Sequence, residues 1–500
     1  MIAEKGTIAK KGFIGIIYEY FGMFISSLSG LIGYIILIRY LSKDDYGTYS
    51  VFKSAFSFVF LFISLGIPHV FQRYIPEFLQ NNEKGKIVIL IKNAFRSFSI
   101  FILLILTILY FGRTFLFDIL NLNYSFELFI LFLLGLVSEA FCRIFNMVLH
   151  STFMQKQFNL SQAVFFVIKL LLFILVSHFD LGLHGIILSF ITANLIWFVI
   201  KIIFIREFLF SREKLPIPFS RMLKFGMFKY FNDLGMIILD VLLDIILISM
   251  IMGKKFAGEY SFAVSIIAMI VAWYPGKLGI QVIIPVFVQQ YTKNKDTEQL
   301  STLLFRMIKA VSFVALPVMV LTVIFSEQII GNIFNKEYLN TSNIFIFGMI
   351  TFSIYHIFQP GFNAVLTTLE KANILFYSRL FTFYNLIMDI ILIKYCGIFG
   401  AIVATGTTLI FIVIFQAFFI TKYIRLELPY RSFLKIILNL IPAAILLYFV
   451  RAISNNLILT VVFLVAGMLI YFGICLINKI FTEEERNFFN YIIGKKVFKF

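Results

Sequence analysis

Tyr46-Gly47-Thr48-Tyr49-Ser50 recurs farther along the chain as Ala257-Gly258-Glu259-Tyr260-Ser261. Each copy follows a long apolar stretch, so the two copies lie on corresponding loops. A second echo pairs Gly182-Leu183-His184-Gly185 with Gly397-Ile398-Phe399-Gly400 at a similar separation. Two landmarks in the same order indicate an internal duplication, in which one structural unit occurs twice.

The composition places this duplicated unit in a membrane. Of the 500 residues, 61% are hydrophobic and only 14% are charged, and the mean hydropathy is +0.96. A water-soluble chain of this size cannot cover its surface with so few charges, whereas lipid can serve as the outer solvent. Because backbone groups in lipid must be satisfied within each segment, and no alternating barrel pattern appears, we predict an all-α fold.

Apolar stretches of about 20 residues are long enough to cross a bilayer as helices. The sequence predicts about fourteen transmembrane helices, arranged as two six-helix lobes plus two extra C-terminal helices. Because six is an even number, both lobes have the same orientation, and a pseudo-twofold axis along the membrane normal is expected. The predicted spans are Gly12–Ile38, Val51–Val70, Ile89–Phe111, Phe126–Leu149, Leu160–Ser177, Leu183–Ile205, Met222–Met250, Ala257–Ile284, Leu303–Phe325, Ile344–Leu369, Ile374–Ile393, Ile398–Ile420, Phe433–Val450 and Leu457–Ile477.

Lys and Arg are concentrated in one set of loops. With both termini in the cytoplasm, the inner loops carry most of the 43 Lys and Arg, as the positive-inside rule requires. The net charge of +17 is therefore a topology signal facing anionic lipid, and no nucleic-acid partner is expected. We predict a multi-pass plasma-membrane protein with an N-terminal lobe (1–210), a C-terminal lobe (211–425) and a final helix pair with a cytoplasmic amphipathic tail (426–500).

Basic residues within the predicted spans are candidates for a substrate site, because intramembrane charges are expensive and usually face a cavity or a partner. In one interpretation they line a water-filled cavity and bind a phosphate head group. In the other they form structural ion pairs or snorkel to the interface. The cavity is favoured for Lys53 and Lys277, with Arg379 and Lys169 as further candidates.

Acidic residues within the spans have the same two interpretations. Asp240 and Asp244 are four residues apart on one face of the seventh span, where they either bind a coupling cation such as Na⁺ or H⁺ or serve a structural role. Glu139 and Arg143 are four residues apart on the fourth span, and a structural ion pair is favoured. In the eighth span, Pro275-Gly276 predicts a kink or gate beside Lys277.

The C-terminal tail has a helix-start signal of its own. Thr482-Glu483-Glu484-Glu485 matches a capping box, and apolar and Lys-rich residues follow it. We expect a short amphipathic helix that anchors the tail on the inner membrane surface.

Several classes of protein are disfavoured by what the sequence lacks. The P-loop pattern G-x-x-x-x-G-K-[ST] does not occur, and the three cysteines show no metal or redox spacing. A membrane glycosyltransferase or polymerase usually needs a large outer loop with catalytic acids, whereas the longest outer loop here, 326–343, is short. We therefore predict a transporter rather than an enzyme, with no metal site and no cofactor beyond a coupling ion.

The stretch Arg39-Tyr40-Leu41-Ser42-Lys43-Asp44-Asp45-Tyr46-Gly47-Thr48-Tyr49 carries a family resemblance. It is similar to the pattern R-x-L-x-x-x-x-[FY]-G-x-Y that follows the first helix of polysaccharide-export (Wzx-like) flippases. These proteins belong to the multidrug/oligosaccharidyl-lipid/polysaccharide (MOP) superfamily. The predicted topology, a six-plus-six core with an added pair of helices, resembles this branch over nearly the whole chain.

The resemblance implies translocation of an undecaprenyl-diphosphate-linked oligosaccharide between leaflets, by alternating access between two lobes. It also implies a cationic cavity for the sugar diphosphate, for which Lys53, Lys277 and Arg379 are the candidates. The implied partners are the lipid-linked oligosaccharide, membrane lipid, a polysaccharide polymerase and glycosyltransferases. The alternatives are a cation-coupled multidrug exporter of the same superfamily and, from another class, a membrane glycosyltransferase or polymerase.

Overall fold

The computed structural model describes residues 22–209, 216–224, 226–227, 230, 241–275, 287–288, 291, 296–425, 430–493 and 499. These residues are almost entirely helical, and none of them lies in a β-strand. The predicted all-α fold is confirmed.

Eleven helices within these described ranges are long and apolar enough to cross a membrane. Each satisfies its backbone hydrogen bonds internally, as lipid demands. The chain is therefore a multi-pass membrane protein, while the total of fourteen spans stays a prediction.

The chain divides into two compact units, Met1–Gly258 and Glu259–Phe500. The proposed boundary after residue 210 stays a prediction. The helices of the first unit are α1 (Gly22–Tyr40), α2 (Lys43–Ser64), α3 (Ile67–Gln80), α4 (Lys84–Phe111), α5 (Arg113–Ile119), α6 (Phe126–Ser151), α7 (Gln155–His178), α8 (Gly182–Leu209), α9 (Val241–Met252) and the start of α10 (Lys254–Val271).

The predicted span Val51–Val70 is broken in the structure. Helix α2 begins earlier, at Lys43, because the Ser42 hydroxyl accepts a hydrogen bond from the Asp45 backbone N–H at 3.1 Å. The helix ends at Leu65 and Gly66, which have φ angles of 43° and 74°. Helix α3 then begins at Ile67 and has a proline in its first turn.

In the second unit, the C-terminal pair of helices packs against one long helix. The helix Thr297–Ile324 packs against the helix Ser342–Thr368 and against both members of the pair, Tyr430–Val450 and Leu457–Asn478, which also pack on each other. The helices of this unit are α11 (Thr297–Ile324), α12 (Ser342–Thr368), α13 (Ala372–Ser378), α14 (Phe381–Ile420), α15 (Tyr430–Val450), α16 (Leu457–Asn478) and α17 (Glu483–Ile493).

The second sequence echo has the same backbone conformation in both copies. Gly182, at the start of α8, and Gly397, within α14, both have a φ of 63°. Glycine is favoured here because a side chain is strained at positive φ. Gly397 also separates the predicted spans Ile374–Ile393 and Ile398–Ile420, because its non-helical backbone angles place a kink in α14 between them. The shared conformation supports the internal duplication.

The glycines of the first echo touch each other. A Cβ atom on Gly47 would lie 2.0 Å from the Lys254 carbonyl oxygen, and one on Gly258 would lie 2.8 Å from the Gly47 Cα. The start of α2 therefore crosses the α9–α10 turn at backbone contact. The Asn121 side chain holds the same turn by donating hydrogen bonds to the carbonyl oxygens of Ser249 and Met250, at 2.9 and 2.8 Å.

The predicted capping box forms at the start of α17. The Thr482 backbone N–H donates to Glu485 Oε2 at 2.8 Å, and the Glu485 backbone N–H donates to the Thr482 hydroxyl at 3.3 Å. The placement of this tail on the inner membrane surface stays a prediction.

Candidate functional site

Two of the predicted cavity lysines meet at one aromatic ring in the first unit. Lys53 of α2 places its Nζ 4.9 Å from the centroid of the Phe190 ring, and Lys169 of α7 places its Nζ 5.8 Å from the same point. Lys169 also lies 5.2 Å from the centroid of Phe173. Phe190 belongs to α8 and is 3% exposed. Attraction between an ammonium and a ring face compensates in part for the water that each lysine loses.

The ion pair predicted between Glu139 and Arg143 is present on α6. The Arg143 Nε donates to Glu139 Oε1 at 3.0 Å, and a terminal nitrogen donates to the same oxygen. Arg143 also donates to the Ser57 hydroxyl at 2.6 Å and lies over the ring of Phe60, 5.2 Å from its centroid. Arg143 is thus held by three different groups.

Glu139 connects this ion pair to the two lysines. Arg143 donates to Ser57, which lies one helical turn after Lys53 on α2, and the charge of Glu139 is close enough to act on Lys169. Lys53, Lys169, Glu139 and Arg143 therefore form one group, which we call the basic cluster. It contains three cationic side chains and one carboxylate, and within the described ranges neither lysine pairs with a carboxylate. Such an arrangement suits an anionic ligand, and lysine ammoniums are common phosphate ligands.

Lys201 shows how a lysine without a ligand role is accommodated. It is fully buried on α8, its Nζ donates to the Cys142 carbonyl oxygen at 3.0 Å, and it lies 3.1 Å from the centroid of the Trp197 ring. A backbone carbonyl thus fills one of its donor positions. Lys53 and Lys169 differ from it because both are only half-buried.

The remaining predicted cations are placed elsewhere or lie outside the described residues. Arg379 is half-buried between α13 and α14 of the second unit, where its charge acts on the phenol of Tyr355. Lys277 and Gly276 lie outside the described residues. Helix α10 ends at Val271, and a turn then leads to Pro275, where the sequence predicts a kink.

Buried carboxylates occur in both units. Asp244, on α9, is 1% exposed, whereas Asp240 lies outside the described residues. In the second unit, Asp389 of α14 is fully buried and accepts a hydrogen bond from the Asn385 amide at 2.8 Å. The same amide lies 3.5 Å from the Thr405 hydroxyl. Carboxylate, amide and hydroxyl oxygens are the ligands that hard cations prefer.

Sequence reasoning left some of these site residues unassigned. Phe190 gave no signal because the chain contains 65 Phe residues. Asn385 did carry a signal, since it precedes Asp389 by one helical turn and shares its face. Within the described ranges, no group of three or more His, Cys, Asp or Glu could hold a metal ion.

The sequence matches a known family and two curated relatives. The sequence pattern of the family described as polysaccharide biosynthesis protein matches residues 36–343, more than half of the chain. An uncharacterised membrane protein of Methanocaldococcus jannaschii is 24% identical over 485 residues, which cover 90% of this chain and 92% of that protein. The probable low-salt glycan biosynthesis flippase Agl15 of Haloferax volcanii is 23% identical over 254 residues, 48% of this chain and 51% of that protein.

Solved structures show a similar fold. The lipid II flippase MurJ, in an inward closed conformation, superposes with a TM-score of 0.70 at 17% identity, over 92% of this chain and 98% of that chain. An inward-facing multidrug resistance transporter of the MATE family superposes with a TM-score of 0.60 at 14% identity, over 82% and 98%. These likenesses concern the fold, whereas the sequence match defines the family. The chain belongs to the polysaccharide biosynthesis protein family.

Proposed function

We propose that this protein flips an undecaprenyl-diphosphate-linked oligosaccharide from the inner to the outer leaflet of the plasma membrane, by alternating access, for surface polysaccharide synthesis. The observation that carries the proposal is the pair Lys53 and Lys169 around the Phe190 ring, with Arg143 beside them. A diphosphate linkage carries about two negative charges, one per esterified phosphate, which two ammoniums can neutralise. The similarity to a probable glycan biosynthesis flippase supports a flippase role in glycan synthesis.

The proposal includes the orientation and the partners of the protein. Both termini face the cytoplasm, where the basic loops meet anionic lipid. Glycosyltransferases supply the lipid-linked oligosaccharide on that side, and a polysaccharide polymerase uses it on the other. Membrane lipid surrounds the protein throughout.

A cation-coupled multidrug exporter is the second candidate, because the fold is also that of a MATE family transporter. The basic cluster argues against it, since three cationic side chains and one carboxylate repel a cationic drug. A membrane glycosyltransferase or polymerase is disfavoured because the fold is similar to that of a solved flippase and a solved transporter.

Removing one ammonium from the basic cluster tests the proposed substrate. We expect Lys53→Gln to lower the initial rate of flipping of a fluorescent lipid-diphosphate oligosaccharide in proteoliposomes about tenfold, because the anion loses one charge partner in a low-dielectric site. Lys169→Gln should have a similar effect. The control is Lys84→Gln, which breaks an exposed ion pair with Glu207 and should leave the rate unchanged. Wild-type rates in both cluster variants would refute the site.

We also propose that a cation, Na⁺ or H⁺, drives transport through the buried carboxylates Asp244 and Asp389. Carboxylates buried within membrane spans are costly to ionise, and in transporters they often mark ion pathways, so they can respond to an ion gradient. Asp389 accepts a hydrogen bond from the Asn385 amide nitrogen, and the Asn385 carbonyl oxygen is buried without a hydrogen-bond partner among the described residues, which adds support.

Isosteric removal of the Asp389 charge tests this coupling. Wild-type flipping should rise several-fold when a Na⁺ or H⁺ gradient is imposed across the proteoliposome, and Asp389→Asn should flip at the same rate with and without the gradient. Glu484→Gln serves as the control, because its carboxylate is 86% exposed. A gradient response that survives in Asp389→Asn, or that is absent from the wild type, would show that Asp389 does not couple transport.

A further inference from the structure

The positive charge of Arg143 is already balanced by contacts within the protein. Two of its nitrogens donate to the same oxygen of Glu139, one also donates to Ser57, and the guanidinium lies over Phe60. Only 33% of the Arg143 side chain is exposed. Glu139 therefore neutralises one of the three cations in the basic cluster, and Lys53 and Lys169 supply the remaining positive charge.

The carboxylate of Glu139 also acts on groups other than Arg143. Arg143 uses only Oε1, while Oε2 is buried and has no hydrogen-bond partner within the described residues. A carboxylate with a purely structural role normally has both oxygens satisfied when it is buried. The Glu139 charge also acts on Lys169, and the residue is 8% exposed. It thus moderates the lysine site directly.

The balance of charge then selects the ligand. With Lys53 and Lys169 both protonated, three cations and one carboxylate leave an excess of two positive charges, which match a diphosphate linkage with about two negative charges. A linkage with a single phosphate would leave one positive charge uncompensated in a half-buried site, which is unfavourable. Without the Glu139 charge the excess would be three, and the anion would bind more tightly and dissociate more slowly.

We infer that Glu139 is a specificity-determining residue, which sets the net charge of the basic cluster so that the site accepts a diphosphate-linked lipid in preference to a monophosphate-linked one. This role rests on the proposed function. It specifies the feature of the substrate that the site recognises, which is the number of phosphates in the lipid linkage. Glu139 acts on the ligand through Arg143 and Lys169, and the Glu139–Arg143 pair is part of the recognition site as well as a structural contact.

Binding of two matched lipids to the full chain tests the inference. The probes are a prenyl diphosphate and a prenyl monophosphate that carry the same sugar and the same chain, titrated into nanodiscs of neutral lipid. The wild type should bind the diphosphate about tenfold more tightly. Glu139→Gln should tighten diphosphate binding about tenfold further and make it more sensitive to salt, because one more cation faces the ligand.

A double variant separates charge from structure. Glu139→Gln with Arg143→Gln restores the excess of two charges, so its affinities should return to wild-type values. A solely structural role would lower the melting temperature of Glu139→Gln without changing the ratio of the two affinities, and this result would overturn the inference. Tight binding that persists in the double variant would overturn it as well. If the wild type binds neither lipid, the proposed function itself fails, and the inference fails with it.

Discussion

Replacing Gly47 with valine is expected to reduce flipping to background. A Cβ atom at this position would lie 2.0 Å from the Lys254 carbonyl oxygen and 2.6 Å from its carbonyl carbon. Both are backbone atoms, which cannot rotate away as the end of a flexible side chain can. Overpacking of this kind costs about 1–3 kcal/mol or more. The larger side chain therefore holds the α9–α10 turn away from the start of α2, and the two echoes of the repeat lose their contact.

The measurement pairs the flipping rate in proteoliposomes with the melting temperature of the purified protein. Gly258→Val should reproduce the defect from the opposite side, because a Cβ there would lie 2.8 Å from the Gly47 Cα. Gly473→Val is the matched control, since no atom lies within 4 Å of a Cβ built at that position. Wild-type flipping and stability in Gly47→Val would show that this crossing is not required.

The same pair of glycines shows how far the sequence could predict the fold. Two short echoes were enough to indicate the duplication, because a close helix crossing tolerates only glycine. The echoes could not show that Gly47 and Gly258 meet each other, since a repeated motif indicates an equivalent environment and not a mutual contact. Hydropathy alone could not locate the break at Leu65 and Gly66, because it rises and falls over a whole span and does not report the backbone angles within it.

The candidate site was predictable as far as its charges were concerned. Lys53 and Lys169 stood out because charged residues are rare in apolar stretches. Their common neighbour Phe190 could not be identified, because cation–π contacts depend on packing between three helices. The Glu139–Arg143 pair was found more easily, since residues four apart on a helix are neighbours.

Lys309 and Glu485 form an ion pair that local sequence patterns could not reveal, because the residues belong to distant helices. The Lys309 Nζ donates to Glu485 Oε2 at 2.7 Å, and the two side chains are only 6% and 14% exposed. Lys309 also lies 4.9 Å from the centroid of the Phe481 ring. The Glu485 oxygen that receives Lys309 is also the capping-box acceptor for the Thr482 N–H. One carboxylate therefore both starts α17 and docks it on α11.

Neutralising this carboxylate is expected to release the tail. Glu485→Gln keeps a side chain that can complete the capping box, but it leaves the Lys309 ammonium buried without its counter-charge. Removing one partner of a buried pair costs about 3–5 kcal/mol. We expect amide hydrogen exchange to become much faster across residues 483–493 in nanodiscs and the melting temperature of the protein to fall. Glu484→Gln, which affects a largely exposed contact with Arg306, should cost at most about 1 kcal/mol.

A double variant shows which force docks the tail. Lys309→Met combined with Glu485→Gln removes both charges and keeps a long apolar side chain near Phe481, so it should recover most of the protection lost in Glu485→Gln. Recovery would mean that apolar packing holds α17 and that the ion pair fixes its position. If the double variant exchanges as fast as Glu485→Gln, the attraction between the two charges is itself the main docking force. If Glu485→Gln behaves like Glu484→Gln, the buried pair contributes little and α17 is held by its other contacts.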